Sequence, residues 1–154
     1  MRITLFIMSL FTSFLAYSQK ELSYIGKQIM NSDSVFIYAL PRTPTTNLSD
    51  TSCCNMQLYK DSFNISVRLP LKTKTELGNI LIKSKPYVGR YASRSGFIPT
   101  EIIALWKKGR FEYVKVSRWT HDIFYSKGST WVFINPLDVE NIERFYRKHK
   151  IITN

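Results

Sequence analysis

The sequence predicts an α+β fold: a mainly antiparallel sheet of five or six strands, with two or three helices packed on one face and a helix at the C-terminus. Three observations carry that expectation. Short runs of apolar or alternating residues are separated by turn signals, as at Glu101–Trp106 and Phe111–Trp119 on either side of Lys107–Arg110. Stretches with helical spacing stand apart from those runs rather than alternating with them. The stretch after Asn135 combines a cap residue, a proline and an apolar stripe, which is the signature of a helix.

The 154 residues amount to one domain. Residues 1–18 read as a signal peptide. Arg2 is the only charge, Ile3–Leu15 is an apolar run of thirteen residues, and Ala16-Tyr17-Ser18 is a small-x-small cleavage site. Thirteen helical residues reach only about 20 Å, short of a hydrocarbon core of roughly 30 Å, so a stable membrane span is not expected. The predicted mature chain is a single α+β domain over residues 19–154, exported to a periplasm or secreted, with a bacterial type of leader.

Within it, Lys20–Met30 spaces Leu22, Ile25 and Ile29 as a short helix, with Gly26 as an internal weakness of roughly 1 kcal/mol relative to alanine. Ser34–Leu40 is apolar on both faces and predicts a central strand, ended by Pro41. Residues 41–55 form a long polar loop. Met56–Lys60 and Phe63–Leu69 alternate around Asp61-Ser62 as a hairpin. Thr73-Lys74-Thr75-Glu76 fits a capping box opening a helix over Lys74–Ser84, with Leu77, Ile80 and Leu81 as its buried stripe.

Residues 85–99 make a second irregular stretch, rich in arginine and tyrosine and free of acids. In the hairpin that follows, Gly109 supplies the positive φ of a tight turn. Val114 and Val116 face one way, Phe111 and Tyr113 the other. Thr120–Ser129 reads as a loop and Thr130–Asn135 as another strand that is apolar on both faces. The final helix, Pro136–His149, has Asn135 as cap, acids early, bases late, and Val139, Ile142, Phe145 and Tyr146 as its stripe.

The chain holds 22 Lys and Arg against 11 Asp and Glu, and loses only Arg2 with the leader. The excess is uneven: residues 83–127 carry ten cations against Glu101, Glu112 and Asp122. Such a surplus attracts anionic partners, either an anionic macromolecule or an acidic protein. Arg90, Arg94, Lys107, Lys108, Arg110 and Arg118 are the candidate binding residues, because arginine forks grip phosphate or carboxylate and nearby rings stack on bases or sugars. The bland alternative is a wet basic surface over an aromatic core.

No serine-elbow, zinc-helix, phosphate-loop or Cys-x-x-Cys motif is present, and no cofactor or metal is expected. The predicted function is therefore that of a binding module. The alternative is a small secreted hydrolase, of ribonuclease type, in which His121 and Glu112 move protons and an arginine offsets transition-state charge. Cys53 and Cys54 are adjacent; a disulfide between them would be strained, which suits a redox switch, while intermolecular pairing and free thiols are the other options. Asn47-Leu48-Ser49 and Asn64-Ile65-Ser66 match the glycosylation acceptor pattern, which matters only in a host that uses it.

Overall fold

A computed structural model describes residues 2–39, 65–87, 99–118 and 120–151, with side chains from residue 16 onward and, after the gap, from 67. Arg90, Arg94, Cys53, Cys54, both acceptor motifs' asparagines and the expected Met56–Lys60 strand lie outside the described residues. The elements are α1 (Arg2–Asn31), β1 (Ser34–Ala39), β2 (Ile65–Arg68), α2 (Leu71–Lys83), β3 (Glu101–Lys107), β4 (Arg110–Ser117), β5 (Asp122–Tyr125), β6 (Thr130–Phe133) and α3 (Pro136–Lys148). All strand pairs are antiparallel, in the order β2-β1-β3-β4-β5-β6. The α+β expectation holds, with six strands and three α-helices among the described residues.

One apolar cluster joins the helices to one face of the sheet. From the strands it takes Val35, Ile37, Ile103, Leu105, Val114, Val116, Ile123, Tyr125 and Val132, which the register places in line across the sheet. From the helices it takes Leu22, Ile25 and Ile29, then Leu77 and Leu81, then Val139, Ile142, Phe145 and Tyr146. These are the stripes that the 3.6-residue period marks out.

α1 and α2 run antiparallel and are tied at both ends. Gln19 Nε2 donates to the carbonyls of Ser84 at 3.1 Å and Ile82 at 3.4 Å. At the other end the buried Lys74 ammonium donates to the Ser32 carbonyl, a cation meeting the negative end of α1. Between them the helices touch at Gly26 and Gly78, where a Cβ on Gly26 would lie 2.5 Å from the Gly78 carbonyl oxygen. Gly26, a weakness in the isolated helix, is therefore what allows this close approach. α2 and α3 are clasped in the same way. Glu76 meets Lys148 at 2.7 Å and His149 at 3.0 Å, and Asp138 accepts from the Lys85 backbone at 2.8 Å.

Several elements differ from expectation for local reasons. α1 is continuous from Arg2 instead of beginning at Lys20. α2 starts three residues early, with Pro70 at its cap, so the Thr73 capping box does not form; the Thr75 hydroxyl bonds back to Leu71, and Glu76 is turned to α3. The stretch read as a loop over Thr120–Ser129 contains β5, paired to β4 and β6 on either side. The β3–β4 turn is as expected: Lys108 and Gly109 both have positive φ, 49° and 74°, the two-residue arrangement that matches strand twist.

Candidate binding face

Antiparallel register assigns every strand side chain to a face. The partners of core residues alternate with a second set that points away from the helices. Across the sheet this set forms rows: Ser34, Trp106 and Phe111; Phe36, Ala104 and Tyr113; Tyr38, Ile102, Lys115, Phe124 and Trp131; Ser117, Asp122 and Phe133. No helix lies on this side among the described residues, and eight of these residues are aromatic.

The rings form a continuous track. Trp106 and Phe111 are 4.9 Å apart between centroids, Phe111 and Tyr113 6.1 Å, Tyr113 and Phe124 6.3 Å, and Phe124 and Trp131 4.8 Å, all tilted. These separations are those of favourable offset and tilted ring pairs. The centre of the face is closed: Ile102, Ala104 and Lys115 are buried. Lys115 Nζ lies 5.4 Å from the Tyr113 ring centre and 5.7 Å from that of Phe124, within cation–π range. The margins are accessible. Trp106 is 45% exposed and Phe111 37% at the hairpin end; Trp131 is 49% exposed and Phe133 38% on the edge strand.

The sequence-predicted cations divide between two ends of the sheet. Lys107, Lys108 and Arg110 sit at the β3–β4 turn; Lys107 and Arg110 pair with each other on the helix side, while Trp106 and Phe111 point the other way. Lys107 reaches toward α1, donating to Gln28 Oε1 at 3.3 Å. The Lys108 backbone N–H donates to Asp33 at 2.7 Å, while the Lys108 and Arg110 residues are exposed. Arg118 is at the far end of β4, and its role there is internal. Its Nε donates to buried Glu101 at 2.6 Å and its Nη1 to Glu143 of α3 at 3.3 Å. Burial pushes the Glu101 carboxyl up to about 7, against the pull of Arg118 and of the Thr100 hydroxyl.

The structure also separates His121 from Glu112. Glu112 is on the helix side, accepting the Tyr125 hydroxyl and standing 3.7 Å from Lys127. Burial first, and Glu112 second, raise the Tyr125 pKa, so the phenol stays protonated as a donor. His121 occupies the β4–β5 turn with φ 58°, next to Asp122, which pairs with Ser117. The five residue steps along β4 from Glu112 to Ser117 span about 16 Å, so the two side chains do not serve one reacting bond. Asp122 is buried, and that burial raises its pKa.

Among the described residues, no group of three or more His, Cys, Asp or Glu is placed to hold a metal ion, and no helix is long and apolar enough to cross a membrane. A groove of about 360 Å³ runs between α2 and α3, floored by Ile80 and Phe145 and rimmed by Lys83, Arg144, Glu76 and Lys148.

The ring track is the feature that sequence reasoning missed. Trp106 is the last residue of an apolar run that gives no alternation to read, and Phe124 lies in the unrecognised β5. The usable signal was the pair Trp106 and Phe111, each two residues outside the Lys108-Gly109 turn, which a two-residue hairpin must place side by side on one face. No family model matches the chain, and no match to it was found among the curated proteins or the solved structures.

Proposed function

We propose that this chain is an exported, periplasmic or secreted, non-enzymatic binding module that meets an anionic macromolecule on the sheet face opposite its described helices. The observation that carries the reading lies at the hairpin end: exposed Trp106 and Phe111 on the outer face beside the exposed turn residue Lys108, with exposed Arg110 at the same end of the sheet. Cations there draw in a polyanion, and rings give it an apolar surface to lie on. Arg90 and Arg94 belong to the proposed surface by their sequence context; Arg118 does not, because its guanidinium is engaged by Glu101 and Glu143.

Export is supported by the leader-like composition of residues 1–18. Ala16 and Tyr17 are exposed, whereas Ser18 and then Leu22, Ile25 and Ile29 are buried. A cut after Ser18 leaves the α1 stripe intact. The binding reading is tested by measuring retention of the purified protein on an anionic resin, and its affinity for soluble polyanions, as salt is raised. Affinity should fall steeply with salt, and Lys108→Glu combined with Arg110→Glu should reduce it at every salt concentration. Unchanged binding in that double variant, with its fold intact by circular dichroism, refutes the reading.

A further inference from the structure

We infer that the polyanion is a single-stranded nucleic acid, held by base stacking on the ring track and by phosphate contacts at its basic rim; this rests on the binding reading above. The sheet face opposite the described helices offers π surface in quantity. Two accessible platforms, Trp106 with Phe111 and Trp131 with Phe124, are joined through Tyr113 by steps of 6.1 and 6.3 Å. A flexible strand can place successive bases on such platforms, because every base has a π face and no fixed hydrogen-bond pattern is required.

A sugar polymer would ask for something else. Each ring displays several hydroxyls, and a site for it needs side-chain carboxylates, amides or imidazoles beside the stacking residue. On the strand positions of this face the only such side chain among the described residues is Asp122, which is buried. A duplex is disfavoured for a different reason: its bases are already stacked on one another, and the accessible rings here lie on a sheet face, not on a protruding wedge. The electrostatics agree with a phosphate backbone. Exposed Lys108, in the turn, edges the Trp106 platform, and exposed Arg68 lies across from Phe36 on β2.

The test uses the purified chain with three probes of matched charge: a short oligothymidylate, inorganic polyphosphate, and an oligogalacturonate. Tryptophan fluorescence reports directly, since Trp106 and Trp131 are themselves in the track. Oligothymidylate should bind more tightly than polyphosphate at equal salt, with quenching. Trp106→Leu should weaken oligothymidylate by about tenfold while leaving polyphosphate unchanged, and Trp106→Phe should retain most of the affinity. Phe111→Leu, at a second exposed ring, should repeat the selective loss.

Equal binding of oligothymidylate and polyphosphate, preference for oligogalacturonate, or indifference to both ring substitutions would overturn the nucleic-acid assignment. The anionic-partner reading would survive in those cases if binding still depended on Lys108 and Arg110. Failure of all three probes to bind would overturn both.

Discussion

Replacing Gly26 by alanine puts a methyl carbon 2.5 Å from the Gly78 carbonyl oxygen, 2.8 Å from Ile82 Cγ1 and 3.2 Å from the Ile82 backbone nitrogen. Two of these three neighbours are backbone atoms, so no side-chain rotation relieves the overlap. α1 and α2 must move apart by about 1 Å to restore ordinary contact distances of roughly 3.5 Å. That movement loosens the seam in which Leu22, Ile25, Ile29, Leu77 and Leu81 are all fully buried. Overpacking of this kind costs about 1–3 kcal/mol, against a helix-propensity gain of about 1 kcal/mol for alanine over glycine. The net expectation is a loss of up to about 2 kcal/mol, which lowers the melting temperature by up to about 4–8 °C for a chain of this size. Differential scanning calorimetry or thermal circular dichroism reads it. Gly78→Ala supplies the control on mechanism, because its new methyl meets the flexible Met30 side chain as well as the Gly26 carbonyl oxygen at 2.7 Å. Met30→Ala should therefore recover part of the Gly78→Ala loss and none of the Gly26→Ala loss. A Gly26→Ala protein that melts higher than the parent would show that propensity wins and that the helices are not in close contact there.

Two further predictions concern the far end of the sheet and the last helix. With its folded pKa raised to about 7 above an ordinary 4.5, Glu101 binds its proton more tightly in the folded state, so its contribution to stability increases as pH falls through 7 and is complete below about 4.5. The melting temperature should therefore hold or rise between pH 8 and about 5, and Glu101→Gln should flatten that slope; an unchanged slope in the variant would remove Glu101 as its origin. Asn135→Ala removes the side-chain oxygen that accepts from the Leu137 backbone N–H at 3.0 Å and should cost about 1 kcal/mol, with Asn135→Ser nearly neutral; equal losses for both in urea unfolding would rule out the cap as the cause.

The parts of this fold that could be read from the sequence are those built from local interactions. α3 is specified within its own turn: Asn135 caps, Pro136 fits the first position, and Val139, Ile142, Phe145 and Tyr146 recur at helical spacing. The Lys108-Gly109 turn is similarly self-contained. What could not be read depends on partners distant in the chain. β5 is four residues long, too short for a period, and is a strand because β4 and β6 pair with it. Thr73-x-x-Glu76 satisfies the capping pattern, yet Glu76 gains two partners 72 and 73 residues away, and Pro70 opens the helix instead. The site was obscured for the same reason. Residues 83–127 look like one basic region, but the β3–β4 hairpin carries Lys108 and Arg110 to one end and Arg118 to the other, where a buried carboxylate takes it.

That partition bears on where the proposed partner would meet the surplus positive charge. On the helix side, acids already have partners: Glu76 has Lys148 and His149, Glu112 has Tyr125 and Lys127, and Glu143 has Arg118 and Arg147. Several of these pairs are half-exposed and add little stability individually, typically well under about 1 kcal/mol; their effect is to neutralise the helix side and hold its elements in register. The other face has one acid on its strands, Asp122, and burial disfavours its charged form. In the proposed reading, an approaching polyanion would meet little repulsion over the ring track and find Lys108 and Arg68 at its margin. The proposed attraction would follow from how the described acids and cations are distributed, which the total of eleven acids against twenty-two cations alone would not have located.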